Sequence, residues 1–174
     1  MDRFSILVGD LTASDAEAIV NAAKTTLLGG SGVDGAIHAA AGPELLAECR
    51  TLHGCETGQA KLTGGYRLKA RYVIHTVGPM TKGSPTVEQR KQLTQCYLSC
   101  LDAAALDGAK SIAFCCISTG VFGFPQQEGA AIATNAAKTW LDTRKPGEPG
   151  ADMHVIFDVY TEEDEEYYRE ILGP

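Results

Sequence analysis

Ser111-Ile112-Ala113-Phe114-Cys115-Cys116-Ile117 runs without a charge and then breaks into Ser118-Thr119-Gly120-Val121-Phe122-Gly123-Phe124-Pro125. A short apolar run with no polar alternation reads as a strand covered on both faces, and such strands belong to parallel sheets flanked by helices. The glycine-rich turn behind it leads to a helix from about Gln127 to Asp142. Strand, loop and helix in that order predict an α/β fold.

The same alternation continues on both sides. Toward the C-terminus, Arg144–Gly150 is a Pro/Gly connection, Met153–Val159 a strand, and Thr161–Leu172 a helix opened by the capping pattern Thr161-Glu162-Glu163-Asp164. Toward the N-terminus, Val87–Leu106 carries Leu93, Tyr97, Leu101 and Ala104 at helical spacing, behind the polar loop Thr81–Pro85. Arg71–Val77 and Ala60–Gly64 read as strands, and Pro43 opens a helix to about Leu52. Val33–Ala41 reads as a helix ended by Gly42-Pro43, with strands at Ala18–Ala22 and Phe4–Val8 before it. Ser14-Asp15-Ala16-Glu17 has capping-box spacing with room for one turn of helix. With no repeat and no long linker, residues 1–174 are expected to form one domain. Ligands of such sheets bind beyond the carboxyl ends of the strands, where the glycine loops fall.

Composition narrows the partners. The net charge of −7 argues against a general nucleic-acid surface, which needs clustered Lys and Arg. An acidic chain can still hold a small anion through backbone N–H groups and helix N-termini, and it has 19 glycines to expose them. No stretch is long and apolar enough for a membrane helix, and Met1–Ser5 has no basic or apolar targeting character, so a cytoplasmic protein is expected. The six cysteines are then expected to be reduced thiols, Cys115 and Cys116 serving as small core residues.

Two loops are suited to an anionic ligand. Gly29-Gly30-Ser31-Gly32-Val33-Asp34-Gly35 exposes main chain ahead of a helix whose N-terminus carries about half a positive charge. It contains a literal G-x-G-x-x-G, but it does not follow the first strand and no acidic residue ends a strand about 20 residues later, which speaks against a dehydrogenase. Ser118–Pro125 is the second, and the two could clamp a diphosphate between them, with Phe124 covering a sugar or packing in the core. Asp10, in Gly9-Asp10-Leu11-Thr12, either accepts from an adenine amino group or caps the following turn. Tyr160 either stacks on a base or is a half-buried strand aromatic.

These residues resemble the macrodomains, in particular the MacroD-like bacterial O-acetyl-ADP-ribose deacetylase branch. The resemblance is carried by Gly9–Thr12, Ile19–Ala23, Leu28–His38, Thr63–Tyr66, Tyr72–Pro79 and Ser118–Pro125, which span nearly the whole chain in order. It implies a three-layer α/β/α fold with a mixed, mainly six-stranded sheet, and ADP-ribose or O-acetyl-ADP-ribose as ligand. Asp10 and Leu11 are implied at the adenine with Tyr160. Gly30, Ser31, Gly32 and Val33 are implied at the diphosphate, with Ser118, Thr119, Gly120, Val121, Phe122 and Gly123. Asn21, Asp34 and Phe124 are implied around the distal ribose. Mono-ADP-ribosylated proteins are implied as further substrates. The resemblance also implies a hydrolysis that needs no cofactor or metal and uses a water near the diphosphate and Asp34.

The catalytic set so implied is Asp34, Asn21 and position 24, where the family's usual asparagine is Lys24. A protonated ammonium attracts a diphosphate but accepts no hydrogen bond from a hydroxyl or water, which favours binding over turnover. A non-catalytic ADP-ribose binding module is the alternative. Ser31, Ala39 and Lys69 also depart from common glycine, arginine and proline, without removing a needed group. His38 shares a helix face with Asp34, in either a structural or a catalytic role. A metal reading through Cys49, His53 and Cys55 lacks a C-x-x-C pair and a fourth ligand.

Overall fold

The computed structural model describes residues 3–173. Met1 and Asp2, which enter the reading of the N-terminus, and Pro174 lie outside that range. Six strands, β1 (Phe4–Val8), β2 (Ala18–Ala22), β3 (Ala60–Gly64), β4 (Tyr72–Thr76), β5 (Ser111–Phe114) and β6 (His154–Val159), form one sheet in the order β1-β6-β5-β2-β4-β3. All neighbours pair parallel except β3, which runs antiparallel to β4 at the edge. Every parallel strand therefore delivers its carboxyl end to the same rim.

Helices α1 (Gly32–Ala41) and α2 (Pro43–Arg50) pack together, and α1 reaches β2 while α2 reaches β3. Helices α3 (Val87–Leu106), α4 (Gln126–Asp142) and α5 (Glu162–Leu172) pack side by side as the other outer layer. Tyr97, Phe114, Phe157 and Tyr168 stack across that interface with successive ring centroids 4.9, 6.0 and 4.9 Å apart, joining α3, β5, β6 and α5. All four rings are buried, and aromatics of this size supply much of a core's driving force.

Two expectations are corrected. The helical turn read at Ser14–Glu17 is displaced to a 3-10 turn at Leu11–Ala13, because Asp10 caps it and the Ser14 hydroxyl instead accepts from the Ala16 amide. The strand read as Ser111–Ile117 leaves the ladder after Phe114. Cys115 and Ile117 stay buried, so apolarity alone did not mark the end, and the Ile117 amide donates to the Tyr97 hydroxyl in place of a strand partner. That early exit bears on the site: β5 pairs with β2 only at Ala18↔Ile112 and Ile19↔Ala113, so the ladder between them is two pairs long.

Among the described residues no helix is long and apolar enough to cross a membrane.

Candidate functional site

The chain leaves β2 toward β4 on one side and leaves β5 toward β6 on the other, so the sheet's switch point lies between β2 and β5. Both glycine loops follow these two strands in the chain, at the rim formed by the carboxyl ends where ligands of such sheets bind.

The first loop ends at Ser31, the N-cap of α1, whose side chain makes no capping hydrogen bond. The amides of Gly32, Val33 and Asp34 in the first turn thus keep their donor capacity, and the helix dipole adds to it. The loop folds tightly on the helix: a Cβ on Gly35 would lie 2.5 Å from the Gly30 carbonyl oxygen, an approach only glycine permits. In the second loop the Phe124 amide donates to Ser118 O and the Gly123 amide to Gly120 O. The intervening Gly120, Val121 and Phe122 amides bond to none of the described residues. Ser118 has φ 66 and donates from Oγ to the Pro79 carbonyl at 2.9 Å. That bond depends on Gly78, where a Cβ would fall 2.0 Å from Ser118 Oγ.

Asn21, fully buried on β2, stands in register with His75 of β4. Its Nδ2 donates to Asp34 Oδ1 at 2.9 Å and lies 3.1 Å from His75 Nδ1. Thr63 Oγ1 on β3 lies 2.9 Å from His75 Nε2, and Cys49 Sγ on α2 lies 3.8 Å from the same atom. Asn21 Oδ1 and Asp34 Oδ2 are buried without a partner, a costly state that a bound polar group relieves. His38 Nε2 is 3.4 Å from Asp34 Oδ1, within ion-pair range but without hydrogen-bond geometry. A Cβ on Gly30 would lie 3.0 Å from Asp34 Oδ2 and 3.1 Å from Lys24 Cε, so the carboxylate and the exposed lysine flank the first loop.

At the far end of the same rim, Asp10 follows β1 and Tyr160 follows β6, two adjacent strands. Asp10 Oδ1 accepts from the Thr12 hydroxyl at 2.7 Å and its amide at 2.9 Å, and these bonds hold the carboxyl below its ordinary range. Capping and ligand recognition are compatible, because Oδ2 takes no part in the cap. Tyr160 is 89% exposed rather than half-buried. Leu11 is buried, which leaves its backbone as the part able to meet a ligand. Asp158, two residues before Tyr160, is a buried carboxyl raised to about 6 by desolvation and then by the charge of Asp10.

Of the two roles read for Phe124, the structure shows the packing one: its ring is 1% exposed and lies in the core. The half-buried ring of this loop is Phe122, and Val121 at its tip is exposed. The sequence reading passed over His75 and Thr63; both lie in motifs quoted above, but nothing local ties them to Asn21. Among the described residues no group of three or more His, Cys, Asp or Glu could hold a metal ion, and Cys49, beside His75, is pushed up to about 11 by burial.

The Macro domain family model matches residues 20–133. Over 171 residues the chain is 51% identical to the Bos taurus protein named ADP-ribose glycohydrolase MACROD1, covering 98% of this chain and 51% of that protein. A Trypanosoma brucei macrodomain solved in complex with ADP-ribose superposes with a TM-score of 0.89 at 41% identity, covering 98% of this chain and 69% of that one. An Oceanobacillus iheyensis macrodomain solved with ADP gives 0.88 at 40% identity, covering 96% and 88%. The chain spans about half the length of the curated relatives it matches.

Proposed function

The chain belongs to the macro domain family, and from that premise we propose that it binds ADP-ribose and hydrolyses esters on its distal ribose. The substrates are O-acetyl-ADP-ribose and proteins mono-ADP-ribosylated on acidic side chains. The observation that carries this reading is the Asp34 carboxylate: one oxygen is tied to Asn21, and the other is buried without a partner beside the first glycine loop. The names of MACROD1 and of the ADP-ribose complex support it.

In this reading the diphosphate lies between the amides of Gly30–Val33 and those of Gly120–Phe122 in the Ser118–Gly123 loop, with adenine between Asp10 and Tyr160. Phe122 takes the position beside the distal ribose first given to Phe124. Asp34 Oδ2 holds a water. The water oxygen bonds to the acyl carbon, the carbon–oxygen bond to the ribose breaks, and the water's proton passes by way of Asp34 or the diphosphate to the departing ribose oxygen. First-turn amides of α1 oppose the negative charge that develops. The residues form one folded unit of the cytosol, a placement supported by six unpaired cysteines.

Incubation with O-acetyl-ADP-ribose and with glutamate-linked ADP-ribosylated protein tests the reading. Release of ADP-ribose above an Asp34→Ala control supports it, and no excess over that control refutes it. Lys24 favours a second reading, a module that binds ADP-ribose without turnover, and tight calorimetric binding with no release selects it.

A further inference from the structure

The carboxylate of Asp34 accepts hydrogen bonds only, so the Asn21 atom 2.9 Å away must be the amide nitrogen. The same nitrogen faces His75 Nδ1 at 3.1 Å, which makes that ring atom an acceptor. The ring proton then sits on Nε2 and points to Thr63 Oγ1 at 2.9 Å. Thr63 in turn has main-chain acceptors in Gly64 O at 3.2 Å and Val73 O at 3.5 Å. Each donor in the row from Thr63 to Asp34 is fixed by the next, and reversing one reverses all.

We propose that His75 is a positioning residue of the ester-cleaving site, acting through Asn21: as the neutral Nε2–H tautomer it locks the Asn21 amide so that Nδ2 aims Asp34 and Oδ1 is kept for a hydroxyl of the ligand. The inference rests on the hydrolase reading above. Its physical basis is the count of amide valences. Asn21 has two N–H groups, His75 and Asp34 take both, and Oδ1 is left buried and unpartnered. Without His75 one N–H would be orphaned and the amide would be held by the Asp34 bond alone, free to twist out of the plane that keeps Oδ1 toward the ligand. Burial, and then the nearby His38, push His75 down to about 3, so the ring stays neutral between pH 5 and pH 8. His75 is wholly buried, and it neither transfers a proton to substrate nor touches it.

Two measurements on the full chain test this. Long-range 15N–1H spectra of the imidazoles of the wild-type protein read the tautomer directly. His75 should show a protonated Nε2 and a bare Nδ1, unchanged from pH 5 to pH 8, and a protonated Nδ1 or a doubly protonated ring overturns the proposal whether or not the protein turns over ester. The second is a kinetic cycle of His75→Leu with Asn21→Ala. His75→Leu alone should lower kcat on the order of 10- to 100-fold with little change in KM, the scale of losing a positioned group. In the Asn21→Ala background it should lower kcat no further. Independent, multiplicative losses contradict action through Asn21. Should His75→Leu not fold, Thr63→Val removes the acceptor of Nε2–H and takes its place in the cycle with the same expectations. Absence of turnover in the wild type counts against the hydrolase reading, and the tautomer then decides the row of hydrogen bonds by itself.

Discussion

Asn21 Nδ2 holds Asp34 Oδ1 at 2.9 Å across the junction of sheet and helix, and this bond sets which carboxylate oxygen remains to meet a water. Asp34→Asn keeps the size of the side chain and an oxygen for Asn21, but it loses the charge that orients and deprotonates water. Turnover of O-acetyl-ADP-ribose should fall about 10²- to 10⁴-fold, the usual worth of a general base, while calorimetry shows ADP-ribose still bound. Parallel loss of binding and turnover would mean that Asp34 serves the ligand, not the water.

Gly35→Ala should damage the first loop, because its methyl would meet the Gly30 carbonyl at 2.5 Å and backbone on both sides must shift. A cost of about 1–3 kcal/mol in urea unfolding is expected, with weaker ADP-ribose binding. Unchanged stability and affinity would show that the loop has slack that the geometry does not suggest.

Lys24→Asn restores a side chain that can both donate to and accept from a hydroxyl. Ester hydrolysis should speed up, and ADP-ribose binding should become less sensitive to salt as the ammonium is lost. A slower variant would assign lysine a positive part in the reaction.

Asp158 should make stability fall with rising pH. Its carboxyl is raised from 3.8 to about 6 by desolvation first and Asp10 second, so the folded protein prefers the protonated form. Its favourable contribution is complete below about pH 4, declines through pH 6, and above that the buried charge opposes folding. Asp158→Asn should therefore stabilise the protein at pH 7.5 by about 1–2 kcal/mol after allowance for solvent screening, with no gain at pH 4. Equal Tm shifts at both pH values would show that the aspartate is not under that strain.

What was legible in the sequence is what local physics writes there. β1, β2, β3 and α3 fall within the expected bounds because glycine, proline and capping residues punctuate them. The two glycine loops could be read as anion sites because exposed amides need only glycine and a following helix. The end of β5 could not be read, since Cys115–Ile117 is as apolar outside the ladder as a strand within it. Phe122 and Phe124 have the same chemistry two positions apart, and only the turn of the chain decides which ring enters the core. The partnership of Asn21, His75 and Thr63 depends on strand register across β2, β4 and β3, which no short stretch of sequence encodes.

A crystal structure of the protein with ADP-ribose tests the central claim most directly. The account predicts a diphosphate bridging the rim between β2 and β5, with amides of Gly30–Val33 on one side and of Gly120–Phe122 on the other, and Asp34 Oδ2 facing the distal ribose. A diphosphate held by one loop only, or a ligand bound away from the β2–β5 rim, would contradict it.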